Sequence, residues 1–166
     1  MRVIFLVFIC AFASSDVLIL DGQLTTLECM QMVQQSKSDW KVEISSDTAW
    51  KAWDERLFNV FGDALAKYHA FIGHNLNIKN DSGYAMFRRT KQNDTVAPFS
   101  TIQPVGMVMF LNGDVAGGEM LLTRQDRTII PECGRLVVFP GIYTHPVAFK
   151  DVRLGEERFI ITYFRS

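Results

Sequence analysis

Histidine is scarce in this chain: there are three in 166 residues, at positions 69, 74 and 145. Cysteine is equally rare, at 10, 29 and 133. No surplus of positive charge exists either; 17 basic against 18 acidic residues leave a net charge of −1. A nucleic-acid-binding surface normally shows a basic excess, so that class is set aside. Arg88, Arg89 and Lys91 form the one basic cluster and read as a solvated face. The chain also lacks an apolar run long enough to cross a bilayer.

The longest apolar run, residues 3–10, lies at the very start. With Arg2 before it and Ala11-Phe12-Ala13 after it, residues 1–15 have the three parts of a secretory signal. Competing readings are an extra buried strand or a misplaced start codon, and export ranks ahead of them. Export implies the secretory pathway or secretion; without it the chain is expected in the cytoplasm. It also leaves Cys29 and Cys133 as one even pair, although nothing in the sequence says that they meet. The sequons Asn80-Asp81-Ser82 and Asn93-Asp94-Thr95 suit the same route. Residues 16–166, in a chain that is 48% hydrophobic and 21% charged, are expected to form one domain with a real core.

Within that domain, residues 17–20 read as a buried strand stopped by Asp21-Gly22. Thr25 and Glu28 make a capping-box pattern, predicting a helix to about Gln35 with Cys29, Met32 and Val33 facing inward. Residues 40–44 alternate as a half-buried strand does. Ser46 or Asp47 then caps the clearest helix, in which Trp50, Trp53, Leu57, Phe61, Leu65 and Tyr68 recur at three- and four-residue steps. Such an aromatic stripe is core far more often than a cofactor box. His69 and His74, five apart at its end, do not match the three- or four-residue spacing of helical metal pairs and read as surface or capping residues.

The last third is the most informative. Short β-type runs at 107–112, 120–122, 129–131, 135–140 and 158–164 are separated by Asn112-Gly113-Asp114, Gly117-Gly118 and Cys133-Gly134, which indicates antiparallel β structure. Leu111-Asn112, Gly117-Gly118-Glu119, Ile130-Pro131 before Gly134-Arg135-Leu136, Phe139-Pro140, His145, Val152 with Gly155, and Arg158 with Thr162 fall in one order. That order resembles the C-terminal half of the iron- and 2-oxoglutarate-dependent oxygenases of the prolyl 4-hydroxylase type. A looser likeness spans residues 16–24 to Cys29, so the resemblance covers residues 16–164.

The resemblance implies an α+β, mainly β fold: a double-stranded β-helix (a jelly-roll or cupin-like barrel) with supporting N-terminal helices. It implies a dioxygenase that hydroxylates a C–H bond of a protein, peptide or small molecule, using Fe(II), O₂ and 2-oxoglutarate and releasing succinate and CO₂. It also implies roles. His145 is expected as the distal iron ligand, Arg158 as the anchor for the far carboxylate of 2-oxoglutarate, and Thr162 as the hydroxyl beside it. Residues four apart on a strand share a face, which Arg158 and Thr162 satisfy. From His145 to Arg158 the spacing is 13, longer than the family's gap, and implies a longer turn near residues 150–151.

The family's His-x-Asp, which supplies the other two iron ligands, has no counterpart. The comparable place holds Pro98-Phe99-Ser100 or, one slip away, Gln92-Asn93-Asp94. Asp94 is the one carboxylate available as a ligand there. Arg88 or Arg89 stands where the family has a tyrosine near the oxoglutarate. Three readings follow: a working dioxygenase with unrecognised ligands, a metal-less barrel (a pseudoenzyme) serving as a binding or partner module, or a shortened isoform lacking the ligand loop.

Overall fold

The computed structural model describes residues 16–37, 39–79, 83–93 and 101–166. Helix α1 (Thr26–Ser36) starts where the capping box places it: Glu28 N–H donates to Thr25 Oγ1 at 3.2 Å, and Thr25 N–H donates to Glu28 Oε2 at 2.7 Å. Cys29 and Met32 are buried and Val33 half-buried. Asp47 accepts from Ala49 N–H and opens a 3₁₀ turn (Thr48–Trp50), and α2 (Lys51–Ile72) follows. Gly73, in the left-handed region, closes α2 with its N–H on the His69 carbonyl at 3.0 Å, a conformation that glycine adopts without a Cβ penalty. Trp50, Leu57, Phe61, Leu65 and Tyr68 of the aromatic stripe are buried, and Trp53 is half-buried.

Eleven strands are present among the described residues: β1 (Leu18–Leu20), β2 (Lys41–Glu43), β3 (Ala85–Thr90), β4 (Val105–Phe110), β5 (Ala116–Gly117), β6 (Met120–Leu122), β7 (Arg127–Ile129), β8 (Leu136–Pro140), β9 (Val147–Phe149), β10 (Val152–Leu154) and β11 (Glu156–Phe164). They form a six-stranded sheet in the order β1-β8-β4-β11-β3-β2, a three-stranded sheet β7-β6-β9 and a pair β10-β5. All pairings are antiparallel. The described residues are mostly β, with two α-helices.

The large sheet is buried on both faces, which explains why β4 reads as an unbroken apolar run. Successive side chains on a strand point to opposite faces, and the two cores follow that alternation. Met107, Met109, Leu136, Val138, Ile160 and Phe164 pack with α1 and α2. Val108, Phe110, Val137, Phe139 and Phe159 pack with Met120, Leu122, Ile129 and Val147 of the small sheets. Residues of β11 thus divide by parity: even numbers meet the helices, odd numbers the interior between the sheets.

Candidate functional site

That parity decides where the expected site residues lie. Arg158 and Thr162 share a face, as their spacing predicts, but it is the helix-packed face. Arg158 is 3% exposed. Its Nε donates to Glu156 Oε1 at 2.6 Å, and its Nη1 and Nη2 donate to Ser36 Oγ and the Lys37 carbonyl at the end of α1. Thr162 Oγ1 donates to the Gly83 carbonyl at 3.1 Å. The guanidinium expected to anchor 2-oxoglutarate ties β11 to α1, on the face of the strand opposite the interior between the sheets.

The interior-facing neighbour is Glu157. Its side chain is fully buried and meets Arg89 of β3, the residue directly opposite in register. Arg89 Nη1 lies 2.6 Å from Glu157 Oε2, with the two side chains 2% and 0% exposed. Arg89 Nη2 donates to the Lys150 carbonyl at 2.7 Å, and the guanidinium stands 5.0 Å from the centre of the Phe149 ring. A Cβ on Gly118 would come within 2.9–3.1 Å of the Glu157 carboxyl; glycine there lets the carboxylate sit against backbone. An ion pair so enclosed is held by geometry and added hydrogen bonds, since desolvation opposes it.

Around this pair the interior is filled by rings. Phe159 stacks on Phe149 at 4.6 Å and on Phe87 at 5.9 Å, with Phe110 tilted against it at 6.4 Å. A cavity of about 450 Å³ is lined, among the described residues, by Gly83, Ala85, Phe87, Thr101, Ile161, Thr162 and Tyr163.

The charges on the helix face form a separate network. Arg88 and Arg158 are opposite each other in register, and Glu156 bridges them, accepting from Arg88 Nε on Oε2 at 2.6 Å. Burial raises the Glu156 pKa, but the bonds from Arg88 and Arg158 outweigh it and hold the carboxyl below its ordinary range.

His145 lies in the turn between β8 and β9, with its N–H on the Ile142 carbonyl at 3.0 Å. His145 is 5% exposed, and its Nδ1 is 2.9 Å from Thr144 Oγ1. Burial pushes its pKa down, against a smaller opposing pull from Asp16. Asp94 lies outside the described residues. His69 is on α2 and His74 just beyond its cap, where His74 Nδ1 is 3.2 Å from the Ile72 carbonyl.

A 2-His-1-carboxylate iron face needs two imidazoles on one side of the metal. Two of the three histidines belong to the helix layer, leaving His145 by itself, and among the described residues no three His, Cys, Asp or Glu side chains are grouped to hold a metal ion. The donor set does not fit such an iron centre. Arg89 and Glu157 were missed as a pair by sequence reading. The facing was not legible beforehand: on a strand, a shift of one residue turns every side chain to the other face, and only the register with β3 shows which residue of β11 meets Arg89.

Neither a family model nor a curated protein matches the sequence. Solved structures do match. The viral collagen prolyl hydroxylase of Paramecium Bursaria Chlorella virus-1, in its 2-oxoglutarate complex, superposes with a TM-score of 0.69 at 13% identity, covering 92% of this chain and 97% of that one. A prolyl 4-hydroxylase from Phytophthora capsici gives 0.68 at 15% identity over 92% of this chain and 59% of that one. A Trichoplax adhaerens prolyl hydroxylase, in complex with a hypoxia inducible factor oxygen degradation domain peptide fragment, gives 0.57 at 14% identity over 92% and 84%. The chain has the fold of prolyl 4-hydroxylase-type 2-oxoglutarate oxygenases.

Proposed function

We propose that this chain is a prolyl 4-hydroxylase-type oxygenase, built on the double-stranded β-helix, that has given up iron-dependent oxidation and serves as a binding module for a peptide or protein partner. The observation that carries this reading is the buried Arg89–Glu157 pair. The resemblance calls for a cationic side chain from the last strand, aimed inward to receive the carboxylate of 2-oxoglutarate. Here the inward position carries a carboxylate of its own, already met by Arg89. Arg158, the cation expected to do this, is committed to Glu156, Ser36 and Lys37. An incoming dianion would meet Glu157 in a space where like charges repel strongly.

Preference for a peptide or protein partner rests on the fold neighbours, one of which was solved with a peptide fragment. The working-dioxygenase reading has the fold in its favour, and would use His145 and Asp94 as ligands with Fe(II) and 2-oxoglutarate. The two separate on uncoupled turnover. Incubated with Fe(II), ascorbate, O₂ and 2-oxoglutarate, the protein should release no succinate above a protein-free control. Succinate release that disappears in His145→Ala would instead establish an enzyme.

A further inference from the structure

Cys29 and Cys133 are 104 positions apart in sequence, and the fold brings them together. Cys29 lies in the first turn of α1, buried, with its N–H on the Thr25 carbonyl at 3.0 Å. Cys133 lies half-buried in the turn before β8 and packs against the same core cluster as Cys29. That turn is fastened to the segment leading into α1. Gln23 N–H donates to the Gly134 carbonyl at 2.9 Å, and a Cβ on Gly134 would stand 2.3 Å from the Leu24 carbonyl oxygen. From the other side Arg135 grips Asp21, Nε to Oδ1 at 2.7 Å and Nη2 to Oδ2 at 3.2 Å. With the backbone held at these points, the Cys133 thiol neighbours that of Cys29 at the edge of one core cluster, and the Gly134 N–H donates to the Phe110 carbonyl at 2.9 Å.

We propose that Cys29 and Cys133 form a reversible cystine that clips α1 to the turn before β8, made by thiol–disulfide exchange with a small-molecule disulfide. The roles of the two thiols differ. Burial and the neighbouring Cys133 push the Cys29 thiol well up, so the half-buried Cys133 is the attacking group. Its thiolate attacks one sulfur of the incoming disulfide and expels the other half as a thiol. Cys29 then gives up its proton, attacks the Cys133 sulfur of the mixed disulfide and expels the second half. Two protein thiols are oxidised, one external disulfide is reduced to two thiols, and no other oxidant is required. A bond closing a loop of roughly 100 residues constrains the unfolded chain and raises the melting temperature.

The test uses the full chain, equilibrated anaerobically with oxidised glutathione, alkylated at the remaining thiols and digested for mass spectrometry. A peptide linking Cys29 to Cys133, removed by dithiothreitol, is expected. The oxidised protein should melt higher than the reduced one by on the order of 5–10 °C. Cys133→Ser, at a half-buried position, should melt with reduced wild type and show no shift on oxidation. The proposal is overturned by alkyl label on both Cys29 and Cys133 after equilibration. A glutathione adduct persisting on Cys133, or a bridge through Cys10, overturns it equally.

Discussion

Arg89 and Glu157 face each other across β3 and β11, 2.6 Å apart and closed off from solvent, in the one place where the resemblance calls for an open cationic anchor. On the proposed function, this contact fills from within the chain the place where the resemblance implies a receptor for an acidic ligand.

Breaking the pair one side at a time should be costly. Glu157→Gln leaves Arg89 charged and buried with its strongest partner gone, and should lose about 3–5 kcal/mol in urea denaturation. Replacing both residues by apolar ones of like volume, Arg89→Met with Glu157→Leu, should cost far less than either single change. Additive losses in the double variant would contradict a closed ion pair.

Arg158→Met should destabilise the ligand-free protein by about 2–3 kcal/mol, because charged hydrogen bonds to Glu156, Ser36 and the Lys37 carbonyl disappear. An oxoglutarate anchor would behave in the opposite way, with an unchanged denaturation midpoint and a loss seen only with ligand. Thr162→Val, which removes one bond to the Gly83 carbonyl, should cost about 1 kcal/mol.

Glu28 offers a pH test of the first helix. Its bond from Arg56, joined by the Thr25 contacts, takes the pKa from 4.5 to about 2 despite the opposing effect of burial. A carboxyl lowered on folding contributes stability above its unfolded pKa and loses it as pH falls toward the folded value. Glu28→Gln should therefore cost about 1 kcal/mol at neutral pH, and the difference should shrink between pH 4.5 and about 2. A difference that stays constant across that window would exclude the capping carboxylate as its source.

His145 should report the same sign in a higher pH window. Its folded pKa lies below the ordinary histidine value because burial disfavours the cation. The unfolded chain then binds the proton first, so stability is full above about 6.5 and declines as pH drops below it. His69, lowered by burial and by His74, adds a slope of the same direction, so the two rings must be followed separately by NMR. A His145 ring titrating above 6.5 would contradict its burial as a neutral group.

Local chemistry made much of the fold legible. The Thr25–Glu28 box placed α1, the stripe from Trp50 to Tyr68 placed α2, and runs broken by Asn, Gly and Pro placed β4, β8 and β11 close to where they lie. Side-chain direction on β11 was harder to read. Residues 158–164 are flanked on both faces by packed layers, so apolar residues occupy odd and even positions alike and the alternation that marks a half-buried strand is absent. Phe159, Ile160 and Ile161 give no hint of which face is which. The partner strand decides it: Glu157 lies opposite Arg89, and Arg158 opposite Arg88, a pairing that only the folded sheet displays. Likewise nothing local announces that Cys29 meets Cys133, since their contact depends on the turn at Gly134 docking on Leu24.

The most direct test of the account is anaerobic calorimetric titration of the protein with Mn(II), a redox-silent stand-in for Fe(II), with and without 2-oxoglutarate. No saturable binding in the micromolar range under either condition is the predicted result, and His145→Ala should give the same trace as wild type. Micromolar binding that tightens with 2-oxoglutarate and is lost in His145→Ala would contradict it, returning the chain to the working oxygenases.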